Sequence, residues 1–213
     1  MAKMTEQTLE IAGPVEPLEA LLSESDDNKN PQHIGVICHP HPLHQGTMHN
    51  KVVTTLAKCF SELNIPNIRF NYRGVGKSAG EYGDSIGETD DCIAVTEFMQ
   101  QKYPDASVWL AGFSFGAFIA ANTATKVQGV TQLLTVAPAI YRGNFEHLSP
   151  IHCPWLVIQG EEDEVVDPQS VFDWYEVLQA DKTLIRMPDT SHFFHRKLVD
   201  LKQHILSHYK DAV

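Results

Sequence analysis

The chain has 213 residues and a mass of 23.8 kDa, enough for one sizeable core but too short for that core plus a separate substrate domain, so a single domain over 1–213 is expected. Its 16 Lys and Arg against 27 Asp and Glu give a net charge of −11, which repels phosphate backbones and anionic lipid and argues against nucleic acid or membrane partners. Lys3, Glu6, Glu10 and Glu16 leave no apolar leader, and no apolar run approaches the roughly 18 residues a membrane span needs, so a cytoplasmic location is expected.

Taken in chain order, Thr8 to Ile11 and Pro17 to Leu22 read as short strands, and the polar tract from Ser23 to Pro31 reads as an exposed turn. Ile34-Gly35-Val36-Ile37-Cys38 is short, apolar and β-branched, the mark of a strand covered on both faces. Val52, Val53, Leu56, Phe60 and Leu63 then recur at helical spacing, and Asn67 to Phe70 return to a strand pattern. A second helical pattern runs through Ile93, Val95, Phe98 and Met99, followed by apolar runs at Val108–Phe113, Leu133–Val136 and Trp155–Ile158. A third helix is expected from Val171, Phe172, Tyr175 and Leu178, and a weaker strand at Thr183–Ile185. Such alternation predicts the α/β class: a mostly parallel sheet with helices on both faces and its chemistry at the carboxyl ends of the strands. The Val136–Trp155 connection is too short for a substantial lid. Cys38, Cys59, Cys92 and Cys153 are far apart, form no CxxC and read as buried free thiols.

Gly112-Phe113-Ser114-Phe115-Gly116 lies where a strand pattern gives way to a helical one. A serine at such a turn has its hydroxyl thrust outward, and the flanking glycines permit a backbone approach that a Cβ would block. A hydroxyl is a poor nucleophile until an imidazole takes its proton, and the imidazole needs a carboxylate to hold its tautomer. After a GxSxG turn the acid is expected before the histidine in the chain. Gln159 to Val166 and Met187 to His195 each follow an apolar strand, which makes Asp163 the acid and His192 the base. Asp167, Asp189 and His195 are the competitors, with Asp167 also suited to cap a helix before Pro168. The Phe115 N–H, at the start of the following helix, is one expected donor to an oxyanion.

The elbow, Gly160-x-x-Asp163-x-x-Val166 and Ser191-His192-Phe193 together resemble the α/β-hydrolase superfamily. With His39-Pro40-His41-Pro42, Gly46-Thr47-Met48 and Arg73-Gly74-Val75-Gly76-x-Ser78, they are most similar to a small, lidless bacterial branch related to dienelactone hydrolases and short-chain carboxylesterases. A true dienelactone hydrolase carries cysteine where this chain has Ser114. The resemblance implies an α/β-hydrolase fold without a cap domain and a Ser114, Asp163, His192 triad. It also implies a second oxyanion donor after the Ile34–Cys38 strand. Pro40 and Pro42 have no N–H, which leaves His41, Leu43 or a later residue, and the superfamily pattern selects His41, its side chain incidental to that role.

Other readings carry less. His39, His41, His44 and His49 have imidazoles suited to zinc, but two prolines and the lack of an Asp or Glu in the segment argue against a metal site. Gly74 to Ser78 has part of a phosphate-loop pattern, yet Asn71 stands where the first glycine is required. Arg73 is suited to fix its loop through carbonyls or a carboxylate, Glu88, Asp90 and Asp91 fit a helix start without further function, and Phe113, Phe115 and Phe118 fit the core. The expected activity is hydrolysis of a small carboxylic ester or thioester by a covalent acyl-enzyme. It needs a small-molecule acyl substrate and no metal or organic cofactor. A peptidase or amidase with the same triad, or a non-catalytic binding protein that kept the fold, are the alternatives.

Overall fold

The computed structural model describes residues 4–15, 17–141, 145, 148, 150–210 and 212. Strands β1 (Thr5–Ile11) and β2 (Leu18–Glu24) form a hairpin, and β3 (His33–Cys38), β4 (Asn67–Phe70), β5 (Ser107–Phe113), β6 (Val130–Val136), β7 (Trp155–Gly160) and β8 (Lys182–Met187) complete an eight-stranded sheet. Their order is β1-β2-β4-β3-β5-β6-β7-β8. The β1–β2 and β2–β4 pairs are antiparallel, and every pair from β4 to β8 is parallel.

Helices α1 (Lys51–Glu62) and α5 (Leu198–Tyr209) cover one face, while α2 (Ile86–Lys102), α3 (Phe115–Ala124) and α4 (Pro168–Val177) cover the other. The strand period of two divides the core between them. Along β5, Val108 and Leu110 join the α2–α3–α4 side, and Trp109, Ala111 and Phe113 join the α1–α5 side. Both sets are almost wholly buried, and Val108, Leu110 and Phe113 each contribute about 1.5–3 kcal/mol of transfer free energy. The short apolar runs are thus strands apolar on both faces, as parallel pairing under two helical layers requires.

Each helix has a local reason. Asn50 caps α1 by accepting from the Val52 N–H at 2.8 Å, and Val52, Val53, Leu56 and Phe60 turn inward. Asp167 caps α4 through the Ser170 N–H at 2.9 Å, with Pro168 inside the first turn. Leu201, Ile205 and Tyr209 form the buried stripe of α5, and the Tyr209 ring lies 4.6 Å from that of Trp109. Helix α3 is buried nearly all round.

The sheet is longer than the sequence patterns suggest. β1 begins at Thr5, not Thr8, because Thr5 pairs with Glu24 and its side chain faces outward, where polar residues carry no apolar signal. β6 likewise starts at Val130 with Thr131 and Gln132, before its buried half. All four cysteines are buried free thiols. Among the described residues no helix is long and apolar enough to cross a membrane.

Candidate active site

Ser114 stands between β5 and α3 with φ 56° and ψ −117°, in the left-handed half of backbone space that a serine rarely occupies. The turn is held by the Ser114 N–H donating to the Val136 carbonyl at 2.9 Å and the Ala117 N–H donating to the Ser114 carbonyl at 3.0 Å. Its glycines are required by contact. A Cβ on Gly112 would meet the Gly116 carbonyl oxygen at 2.0 Å, and one on Gly116 would meet the Cys38 carbonyl oxygen at 2.4 Å. The end of β3 therefore lies directly against the elbow.

The two later loops reach the same place from β7 and β8. His192 Nε2 is 3.1 Å from Ser114 Oγ, and His192 Nδ1 is 2.8 Å from Asp163 Oδ2. Ser114, Asp163 and His192 are 8%, 6% and 2% exposed, so the chain of hydrogen bonds runs through a nearly dry site. A Cβ on Gly160 would meet the Thr190 carbonyl oxygen at 2.3 Å, and the Glu162 N–H donates to that same oxygen at 3.1 Å. The acid and histidine loops are thus joined backbone to backbone. Phe194, fully buried at φ 53°, anchors the histidine loop in the α1–α5 core, leaving His192 facing Ser114 and Phe193 outward.

Burial works against the Asp163 charge, yet its pKa is held below the usual carboxylate value. The His192 hydrogen bond and charge, with the Val166 and Val165 N–H groups donating to Oδ1 at 2.7 and 2.9 Å, more than offset desolvation. Gln159 Nε2 adds a bond to Oδ2 at 3.1 Å, and Glu164 accepts from the His192 N–H at 3.1 Å. A carboxylate fixed in this way can orient the ring, whose Nε2 lies within hydrogen-bond reach of Ser114 Oγ. Of the competitors, Asp167 is the α4 cap, Asp189 lies exposed in a turn at φ 50° and His195 is exposed.

As the first residue of α3, Phe115 has an N–H that no preceding helical carbonyl can accept. Its ring packs 4.7 Å from that of His41, across the strand-end loop. His41 is the N-cap of a short 3₁₀ turn, Pro42–His44, and its Nδ1 accepts from the Leu43 N–H at 3.2 Å. The His41 ring thus helps to shape the loop and engages the Leu43 amide. Its Nε2 lies 3.4 Å from the Tyr82 hydroxyl.

Neither His39 nor Arg73 is idle. His39 is fully buried, and burial pushes its imidazole down to about 3. The neutral ring donates from Nδ1 to the Pro40 carbonyl at 2.7 Å and accepts the Tyr72 N–H at Nε2 at 3.2 Å. With both nitrogens engaged it is unsuited to bind zinc, and among the described residues no three His, Cys, Asp or Glu side chains converge as ligands. Arg73 takes a carboxylate partner, Asp91, with Nη2 at 2.7 Å and the Arg73 N–H at 2.9 Å. Asp91 and Glu88 are fully buried, and Glu88 accepts from the Gly83 and Ser85 N–H groups, both at 2.8 Å. These acids thus have structural work beyond the helix dipole. Phe113, Phe115 and Phe118 are buried, as a core role demands.

Comparison with known proteins agrees with this architecture. Residues 35–147 match the family model described as hydrolase of the serine aminopeptidase S33 type, a span that contains the elbow and ends before the Asp163 and His192 loops. The chain is 32% identical to uncharacterized protein RP471 of Rickettsia prowazekii, over 81% of this chain and 76% of that one. An α/β serine hydrolase homologue from Coxiella burnetii superposes with a TM-score of 0.91 at 41% identity, covering 98% of this chain and 99% of the other. XC6422 of Xanthomonas campestris, described as an α/β serine hydrolase without a lid, gives 0.91 at 42% identity, over 98% and 95%. The chain belongs to this serine hydrolase family, within the α/β-hydrolase superfamily.

Proposed function

We propose that the protein hydrolyses a carboxylic ester through a covalent acyl-enzyme on Ser114. The observation that supports this most is the continuous hydrogen-bonded chain Ser114 Oγ, His192 Nε2, His192 Nδ1, Asp163 Oδ2, at 3.1 and 2.8 Å. In the proposed reaction Ser114 Oγ attacks the acyl carbonyl as His192 takes its proton. The oxyanion is bound by the N–H groups of Phe115 and His41, and His192 returns the proton to the leaving oxygen. Water, activated by the same imidazole, then releases the acid. Asp163 orients His192 and stays ionised throughout.

The test is steady-state hydrolysis of p-nitrophenyl esters by the wild type and Ser114→Ala. Turnover that falls by about 10³-fold or more in the variant supports the reading; turnover unchanged by the substitution refutes it. The description of the matched family as a serine aminopeptidase favours one second reading, an amide substrate cleaved by the same three residues. Turnover of aminoacyl p-nitroanilides with none of the esters would select it.

A further inference from the structure

Four apolar residues of β7 fill both cores, Trp155 and Val157 on the α2–α3–α4 side, Leu156 and Ile158 on the α1–α5 side. By the same alternation the next side chain, Gln159, points to the α2–α3–α4 side, and it is fully buried. A buried carboxamide is unfavourable unless it is hydrogen-bonded, whereas a Leu or Met of similar volume would fill the position without that penalty. The Gln159 amide is only half compensated: its Oε1 is buried with no hydrogen-bond partner among the described residues.

The bonds that this side chain does make explain why a carboxamide stands there. Gln159 Nε2 lies 3.1 Å from the Gly160 carbonyl oxygen and 3.1 Å from Asp163 Oδ2. Both neighbours only accept while Asp163 is ionised, so the amide nitrogen must face them and both of its hydrogens are used there. The reverse setting would turn Oε1 against a carbonyl and a carboxylate. Gln159 is thus held with its donors toward the acid loop and its own oxygen left unpaired.

The carboxylate it reaches is fixed at both oxygens. Oδ1 accepts from the Val165 and Val166 N–H groups at 2.9 and 2.7 Å, and Oδ2 from Gln159 Nε2 and from His192 Nδ1 at 2.8 Å. Two of these donors are backbone amides and one is the histidine that Asp163 serves, so Gln159 is the side chain that steadies Oδ2 from outside Ser114, Asp163 and His192. We propose that Gln159 is a positioning residue, whose amide sets Asp163 Oδ2 toward His192 Nδ1 and keeps that carboxylate in its ionised form. This deepens the ester hydrolase reading above and rests on it. Gln159 acts through Asp163 on the His192 ring, not on the reacting atoms. Of the charged groups about it, Arg186 pairs with Gln159 across β7 and β8 and binds Glu161 at 2.9 Å, while Glu162 and Glu164 are exposed.

The experiment measures kcat and KM on a p-nitrophenyl ester from about pH 6 to about pH 9 for the wild type, Gln159→Met and Gln159→Glu, with urea unfolding of each. Gln159→Met keeps the volume and removes the donor, so kcat should fall about 10- to 10²-fold at every pH with KM within about twofold. Gln159→Glu keeps the shape, but its carboxyl can donate to Asp163 only while it holds a proton. Two adjoining carboxylates retain one shared proton and release it as pH rises. Gln159→Glu should therefore exceed Gln159→Met in kcat at least about threefold at about pH 6 and lose that advantage toward about pH 9. A kcat for Gln159→Met within about twofold of the wild type, or a ratio between the two variants that does not change with pH, overturns the proposal. A side chain that merely fills the core would move the urea midpoint and leave that ratio flat. Should Gln159→Met not fold, the pH trend of Gln159→Glu against the wild type carries the same decision. Fluorophosphonate labelling of the wild type separates the two failures. Labelling of Ser114 with either overturning result defeats this inference alone, and absent labelling defeats the hydrolase reading and this inference with it.

Discussion

Asp163 Oδ2 and His192 Nδ1 meet at 2.8 Å with side-chain exposures of 0% and 3%. Asp163→Asn keeps the shape of this contact but presents an amide that can hold the wrong tautomer of the ring. We expect kcat for ester hydrolysis to fall on the order of 10⁴-fold with KM little changed. Steady-state kinetics on a p-nitrophenyl ester checks this; a loss confined to KM would contradict it.

The backbone of His41 offers a way to remove its N–H, the proposed oxyanion donor, without changing its φ. Its φ of −54° lies within the range proline imposes, so His41→Pro deletes the N–H, while His41→Ala deletes only the ring. If that N–H binds the oxyanion, His41→Pro should lower kcat about 10²- to 10³-fold beyond the effect of His41→Ala. Equal kinetics for the two variants would move the donor role elsewhere in the loop.

Burial lowers the His39 imidazole from 6.5 to about 3, so between those values the unfolded chain binds a proton that the folded chain excludes. The stability due to this group is complete above 6.5 and is lost as pH falls toward about 3, at up to about 1.4 kcal/mol per pH unit. Urea midpoints at about pH 7.5 and about pH 5 should fall together with pH in the wild type and diverge less in His39→Gln. Identical pH slopes would show that His39 is not the group responsible.

Arg73 and Asp91 form a buried pair, 12% and 0% exposed at the side chain. Asp91→Ala leaves the guanidinium without its partner and should cost about 3–5 kcal/mol of unfolding free energy, measured by chemical denaturation. A change below about 1 kcal/mol would class the pair with surface ion pairs.

Much of the architecture was legible because parallel strands under two helical layers are apolar on both faces, so β3, β5 and β7 stand out as runs. Ser114, Asp163 and His192 were legible for a related reason: each lies just beyond such a run, where a polar residue contrasts with its neighbours. Exposed β1 was truncated because Thr5, Glu6 and Gln7 pair through their backbones and leave no apolar trace. The supports of the site were hidden by distance along the chain. Tyr72 meets His39 across 33 positions, and Glu164 meets the His192 N–H across 28, and no local pattern encodes either contact. Gln159 did leave a signal, a polar residue closing an apolar strand, whose meaning depends on the Asp163 carboxylate it reaches.

Activation of Ser114 as a nucleophile by His192 is tested by intact-protein and peptide mass spectrometry after treatment with a fluorophosphonate. One covalent adduct is expected, located on Ser114, formed at a rate that falls by at least about 10³-fold in His192→Ala, with no adduct in Ser114→Ala. An adduct on another residue, or labelling of Ser114→Ala at the wild-type rate, would contradict it.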